Sequence, residues 1–226
     1  MIEALKAVEA FIGSDLTARI ADLEWSIKGC DARQCHLKSA EAGIKSELLA
    51  AAYAVKRAAA QINVLVHAVG GLLLLPKIME PGEQIEYVSL GAGNTGREFD
   101  LETDRRVAEF KFIHWSGGAD TIRQNSLFKD FYLLAEHSTA KRKELYVLDV
   151  KYPRKFLRGG RSLGSVLSKN VPLWNEVQAK YGDKYATVSD YYSAHEHNVV
   201  LVDASPLVPE LVRIVDTVAL EADTVE

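Results

Sequence analysis

The sequence predicts an α/β chain: helices through roughly its first third, then a three-strand antiparallel meander, a helix, and a further strand reached by a crossover. Three observations predict it. Apolar residues recur at spacings of three and four up to about Leu75, strict alternation sets in between Gln84 and Trp115, and a continuous apolar strand pattern at 141–150 follows a second helical stretch. With 226 residues, 48% of them hydrophobic, the chain can build a substantial core.

In the N-terminal stretch Leu5, Val8 and Ile12 mark one helix face. After Ser14, read as an N-cap, Leu16, Ile20, Leu23 and Ile27 continue the stripe to Gly29. The stripe suits packing on the main domain or a homodimer through these helices, and the pattern leaves both open. Residues 1–38 are accordingly expected to form a helical extension ahead of a domain at 39–226. Cys30, Cys35 and His36 lie close together, but no second Cys/His pair follows at finger-like spacing, so free thiols on a helix connection are expected. Two cysteines make no disulfide framework, and the N-terminus has no basic stretch before its apolar residues, which points to the cytoplasm. The apolar run from Val64 to Leu75 is too short to span a bilayer and reads as a buried helix, so no membrane partner is expected.

The helical pattern resumes at Ser39, with Leu48, Ala51, Val55, Ala58 and Ile62 on one face and Glu47 near its start. Glu47 is either a solvated residue or a carboxylate in reach of a metal. Pro76 is expected to stop this helix, Pro81-Gly82 to turn the chain, and residues 83–91 to form the first strand. GAGNTG at 91–96 matches a dinucleotide fingerprint in letters only. The residues after it alternate as a strand, so no helix N-terminus follows to hold a pyrophosphate, and the segment reads as a hairpin connection.

The most informative stretch is Glu98 to Trp115. If Asp104-Arg105 is a two-residue hairpin turn, opposed residues have numbers summing to 209 and Asp100 faces Glu109. Phe99, Leu101, Ala108, Phe110 and Phe112 then form a core face. Glu98, Asp100, Glu102, Glu109 and Lys111 gather on the other face, where like charges destabilise unless something neutralises them. Two converging carboxylates make a partial cage for a hard cation such as Mg²⁺, with the Phe110 carbonyl as a further ligand, and Lys111 shares their face. A solvated face with a Glu98–Lys111 ion pair is the plain alternative.

Beyond a glycine break at 116–118, a helix carries Leu127, Phe128, Phe131 and Leu134 on one face, with Gln124 a turn earlier on the same face. Gln124 either satisfies a core backbone group or points into a site at the end of the sheet. Residues 141–150 form the crossover strand. The loop after it carries Lys151, Arg154, Lys155, Arg158 and Arg161 without an acid, a suitable anchor for phosphates in a chain whose net charge of −4 excludes an architectural nucleic-acid binder. A helix from Leu163 to Tyr181 and a strand from His197 to Asp203 complete the domain. His195 and His197 would be alternate strand residues, with no third metal ligand in view, and the last residues read as an acidic tail.

Asp100 with the Glu109-Phe110-Lys111 triplet, in this order of elements, resembles the PD-(D/E)XK nuclease superfamily, the restriction-endonuclease-like fold. The resemblance implies that Asp100 and Glu109 bind Mg²⁺, or Mn²⁺, and that Lys111 assists the attacking water. Gln124 resembles the helix glutamine of RecB-like members, and Glu47 the carboxylate that some members carry on their first core helix. The expected function is metal-dependent hydrolysis of DNA in restriction, repair or phage defence. A non-catalytic nucleic-acid-binding or assembly subunit of the same fold is the alternative.

Overall fold

The computed structural model describes residues 1–91, 98–112, 115 and 120–212. They fall into two compact units, 1–63 and 64–226, so the division lies inside a long helix, downstream of the expected boundary at 38/39. The first unit contains α1 (Ile2–Ile12), α2 (Leu16–Ile27), α3 (Ala32–Glu41) and the start of α4 (Ser46–Ile78). Asp15, rather than Ser14, caps α2, its carboxylate accepting from the Ala18 amide at 2.9 Å. Asp31 and Gln34 form a reciprocal capping box on α3. Cys30 and Cys35 are free thiols. No residue of this unit is fully buried, and Phe11, Ile12, Leu16, Ile20 and Leu48 line an open apolar groove of about 430 Å³.

The second unit is a mixed α/β domain. Its five-stranded sheet has the order β1-β2-β3-β4-β5, formed by Ile85–Val88, Leu101–Thr103, Arg106–Lys111, Arg142–Val147 and Val200–Asp203. The first three strands are antiparallel and the last three parallel. Helix α5 (Thr121–Glu136) makes the crossover between β3 and β4, so helix, meander, helix and parallel strand follow in the expected order. The register is also as expected: Leu101 pairs with Ala108 and Glu102 with Val107, sums of 209 about the Asp104-Arg105 turn.

Both faces of the sheet are covered. Leu101, Ala108, Phe110, Phe112 and Tyr146 pack with Leu74, Leu75 and Val208. Val107, Leu145 and Val147 pack with Phe128, Phe131 and Leu134 of α5. The glycine pair lets α4 approach the sheet: a Cβ on Gly70 would lie 2.9 Å from the Phe112 ring, and one on Gly71 3.3 Å from Leu90. Helix α4 is long and apolar enough to cross a membrane, with a mean hydropathy of 1.8 over 18 residues. Its four buried residues, Gly70, Gly71, Leu74 and Leu75, all lie in the last third of the helix.

Several expectations are corrected. Helix α4 runs through Pro76 to Ile78, because a proline three residues from the end forfeits a single ladder hydrogen bond. Phe99 is buried with Val107, opposite to Leu101, because the ladder ends at Leu101 and the residues before it are bends. The basic run is a helix, α6 (Lys151–Leu157), since Pro153, Phe156 and Leu157 supply an inward face. The stretch 163–181 is two helices, α7 (Leu163–Leu167) and α8 (Val171–Tyr181), because Asn170 caps a fresh start and accepts from the Leu173 amide. His195 ends a helix, α9 (Val188–His195), capped by Thr187, so it and His197 do not alternate on a strand. Residues 92–97, the glycine break at 116–118 and the tail from 213 lie outside the described residues.

Candidate active site

Sequence places two acids and a lysine on neighbouring strands, and the fold adds two partners from the helices on either side. Asp100 stands at the mouth of β2. Its Oδ2 accepts from the Phe110 amide at 2.9 Å, and its backbone carbonyl accepts from the Ser89 amide at 2.7 Å, which ties it to both β3 and the end of β1. Its Oδ1 lies 3.4 Å from His67 Nε2. His67 comes from α4, one turn before the glycine pair, and its ring sits 5.9 Å from that of Phe112. The hydrogen bond to Asp100, working against burial, holds the imidazole pKa above its ordinary value, and a hydrogen bond to the Ser89 backbone acts in the same direction.

Glu109 and Lys111 leave β3 on the face that α5 covers. Lys111 Nζ lies 2.9 Å from Glu109 Oε1 and 2.8 Å from Asp130 Oδ2. Asp130 belongs to α5 and is 7% exposed. Ser126, one turn earlier, donates to its Oδ2 at 3.4 Å. Burial pushes the Glu109 carboxyl up to about 7: Lys111 pulls it down, and Asp130 and Asp100 push it further up. Burial also raises Asp130. Burial alone would lower Lys111, but Asp130 and Glu109 beside it keep it above its ordinary value. Two buried acids thus share one ammonium, which stays charged. The plain ion-pair alternative does not hold, because Lys111 faces Glu109 and Asp130 while Glu98 lies 3.7 Å from His137.

The remaining candidates take other places. Phe110 has its ring in the core at 1% exposure and meets Asp100 through its amide. Glu47 belongs to the first unit, in the first turn of α4, where its carboxylate accepts from the Ser46 hydroxyl at 3.3 Å. Gln124, in the first turn of α5, accepts through Oε1 from Arg161 Nη1. Lys151, Arg154, Lys155 and Arg158 fall at helical spacing on the exposed side of α6 and its cap. Arg158 is 3.8 Å from Glu196. Arg161 lies beyond the helix and reaches back to Gln124 and Ser165.

Two of the residues around Asp100 and Lys111 were missed from sequence. His67 sits inside an apolar run, where a single imidazole gives no periodic signal. Asp130 carried a signal that went unused, since it interrupts Leu127, Phe128 and Phe131 on a helix whose other acids lie at its ends. No family model matches the chain, and neither the curated proteins nor the solved structures give a match.

Proposed function

We propose that the chain is a metal-dependent nuclease of restriction-endonuclease-like fold that hydrolyses DNA phosphodiesters. One observation carries the reading: Glu109 and Asp130 hold a single lysine between them, with Asp100 on the Phe110 amide beside Glu109, at the junction of an antiparallel hairpin and a parallel crossover. Glu109 and Asp130 share the Lys111 ammonium while Asp100 lies against the His67 imidazole, so three carboxylates meet one fixed cation and one histidine in a partly buried place. Burial first, and then Asp130 and Asp100, keep the Glu109 carboxyl raised against the pull of Lys111, and a divalent cation would favour its charged form. Asp100 and Glu109 would be the oxygen ligands of Mg²⁺ or Mn²⁺, with the Phe110 carbonyl as a third. When bound, the ion supplies Lewis acidity toward a phosphate oxygen and lowers the pKa of water.

The chain's own groups supply the rest. Lys111 is a fixed cation on the Glu109 face, able to orient the attacking water and to offset charge that develops on phosphate. Asp130 positions Lys111 from α5. His67 positions Asp100 from α4, its Nε2 3.4 Å from the carboxylate. The exposed cations of α6 give the DNA backbone a place to lie.

The test is incubation of the purified protein with MgCl₂ or MnCl₂ on circular, linear and single-stranded DNA, beside Asp100→Asn. Cleavage that needs the metal and falls by at least about a thousandfold in Asp100→Asn is expected. DNA binding without cleavage by the wild-type protein would favour the non-catalytic alternative. Equal cleavage by both proteins would remove the site from the reaction.

The first unit is proposed to pair with a second copy. It has no buried residue of its own, and its eight acidic and eight basic side chains give no net charge to oppose self-association. Light scattering is expected to report a dimer, and the double substitution Ile12→Glu, Leu16→Glu a monomer. A monomeric wild-type protein at micromolar concentration would refute this.

A further inference from the structure

Beside the carboxylate site lies a second concavity that the nuclease reading does not use. It is a cleft of about 440 Å³ whose walls include Trp115, Tyr152, Gln124, Lys155 and Arg161, with Gly159-Gly160 closing one side. Its volume is that of a site for one small ligand. Its lining holds two cations and no carboxylate. Among the described residues Arg161 is held by neutral groups, the Gln124 amide oxygen and the Ser165 hydroxyl. Neither Arg161 nor Lys155 has an acid within ion-pairing distance among the described residues, so both charges are available to a ligand.

The other wall is aromatic. The rings of Trp115 and Tyr152 lie 6.4 Å apart at an interplanar angle of 35°. The indole N–H of Trp115 is buried and finds no acceptor among the described residues. Trp115 also lines a smaller cavity of about 40 Å³ whose walls include Lys111 and Val147. The cleft and the lysine of the candidate active site are therefore separated by one side chain.

We infer that this cleft holds one unpaired nucleotide of a single-stranded DNA, its base against Tyr152 and Trp115 and its phosphate on Lys155 and Arg161. A base can reach an aromatic wall inside a cleft only when it has left the duplex, whereas backbone contacts alone are indifferent to pairing. Cations in a cleft without acids select an anion, and the aromatic wall beside them selects an anion with an aromatic part. The position of the nucleotide, next to the scissile phosphate, rests on the nuclease reading. Its binding does not.

The test separates the two. Fluorescence anisotropy in EDTA, where no cleavage occurs, compares a labelled single-stranded oligonucleotide with the duplex of the same sequence. The single strand is expected to bind at least about tenfold more tightly. Tyr152→Ala and Lys155→Gln should each weaken it by roughly five- to a hundredfold, as loss of a stacking or phosphate contact does, and Tyr152→Ala should leave duplex binding unchanged. Tyr152→Phe, which keeps the ring, should bind as the wild type does and shows that the site survives substitution. Asp100→Asn should also bind normally, so failure of the cleavage experiment leaves this one standing. Thymidine 5′-monophosphate should compete better than inorganic phosphate, and binding of the oligonucleotide over the free nucleotide distinguishes a strand from a metabolite. Equal affinity for single strand and duplex, or unaltered single-strand affinity in Tyr152→Ala and Lys155→Gln, would overturn the inference. So would competition by phosphate equal to that by the nucleotide.

Discussion

Lys111→Ala is expected to lose metal-dependent cleavage by at least about a thousandfold and, separately, to lose about 3–5 kcal/mol of stability. Two effects are combined because Lys111 has two kinds of neighbour. Toward a substrate it is a fixed charge. Toward the protein it is the one ammonium between Glu109 and Asp130, and removing it leaves both acids buried without a cation. A second substitution separates the effects. Adding Asp130→Asn to Lys111→Ala removes one of the stranded charges, so the double variant should regain part of the lost stability in urea denaturation while cleavage stays absent. Asp130→Asn alone should keep the ammonium but loosen its position, with a smaller loss of rate. If the double variant recovers cleavage along with stability, Lys111 has no chemical role and the nuclease assignment loses its water-activating cation.

The parts of this site that were legible from sequence are those that follow a short local period. Asp104-Arg105 as a two-residue turn, together with the alternation on both sides of it, fixes the register, and the pairing of Leu101 with Ala108 bears this out. Even there the rule reached too far. It put Phe99 beside Leu101, whereas the strand begins only at Leu101 and Phe99 turns to the α5 side. The helical partners were harder to see. His67 and Asp130 come from segments whose apolar content describes packing and hides a single polar residue that faces inward. The basic run was read as a loop because its charges drew attention from Pro153, Phe156 and Leu157, the three residues that bury α6. Helix α9 was missed altogether. Its Tyr191 and Tyr192 carry no helix preference, and what holds them is tertiary: the Tyr191 ring meets that of Phe128 edge-on at 5.6 Å and its hydroxyl donates to Glu136.

Arg106 was also invisible as more than a turn neighbour, yet its removal should be as costly to the fold as that of Lys111. Its side chain is 4% exposed and grips Glu83 through Nε at 2.6 Å and Nη2 at 2.7 Å, while Nη1 reaches Glu144 at 2.9 Å. Thr103 donates to Glu83 at 2.6 Å and Tyr146 to Glu144 at 2.8 Å, so the ions are held by neutral groups as well. This network joins the segment before β1 to β2, β3 and β4. Arg106→Ala leaves two buried carboxylates without their cation and is expected to cost about 3–5 kcal/mol. Arg106→Lys should recover little of it, because a point charge cannot make the paired contacts of a guanidinium. Acid gives an independent check. The hydrogen bonds from Arg106 hold the Glu83 carboxyl down to about 2, against an ordinary value of 4.5. A carboxylate with a lowered folded pKa stabilises the protein above its unfolded value, and that contribution is lost as pH falls through the folded one. Wild-type stability should therefore fall between pH 4.5 and about pH 2 through this group, while Arg106→Ala, which loses the largest cause of the lowering, should show a shallower slope over the same interval. Urea midpoints for the two proteins across that range make the measurement. If Arg106→Ala lies within about 1 kcal/mol of wild type at neutral pH, the network is no more than a surface-grade ion pair.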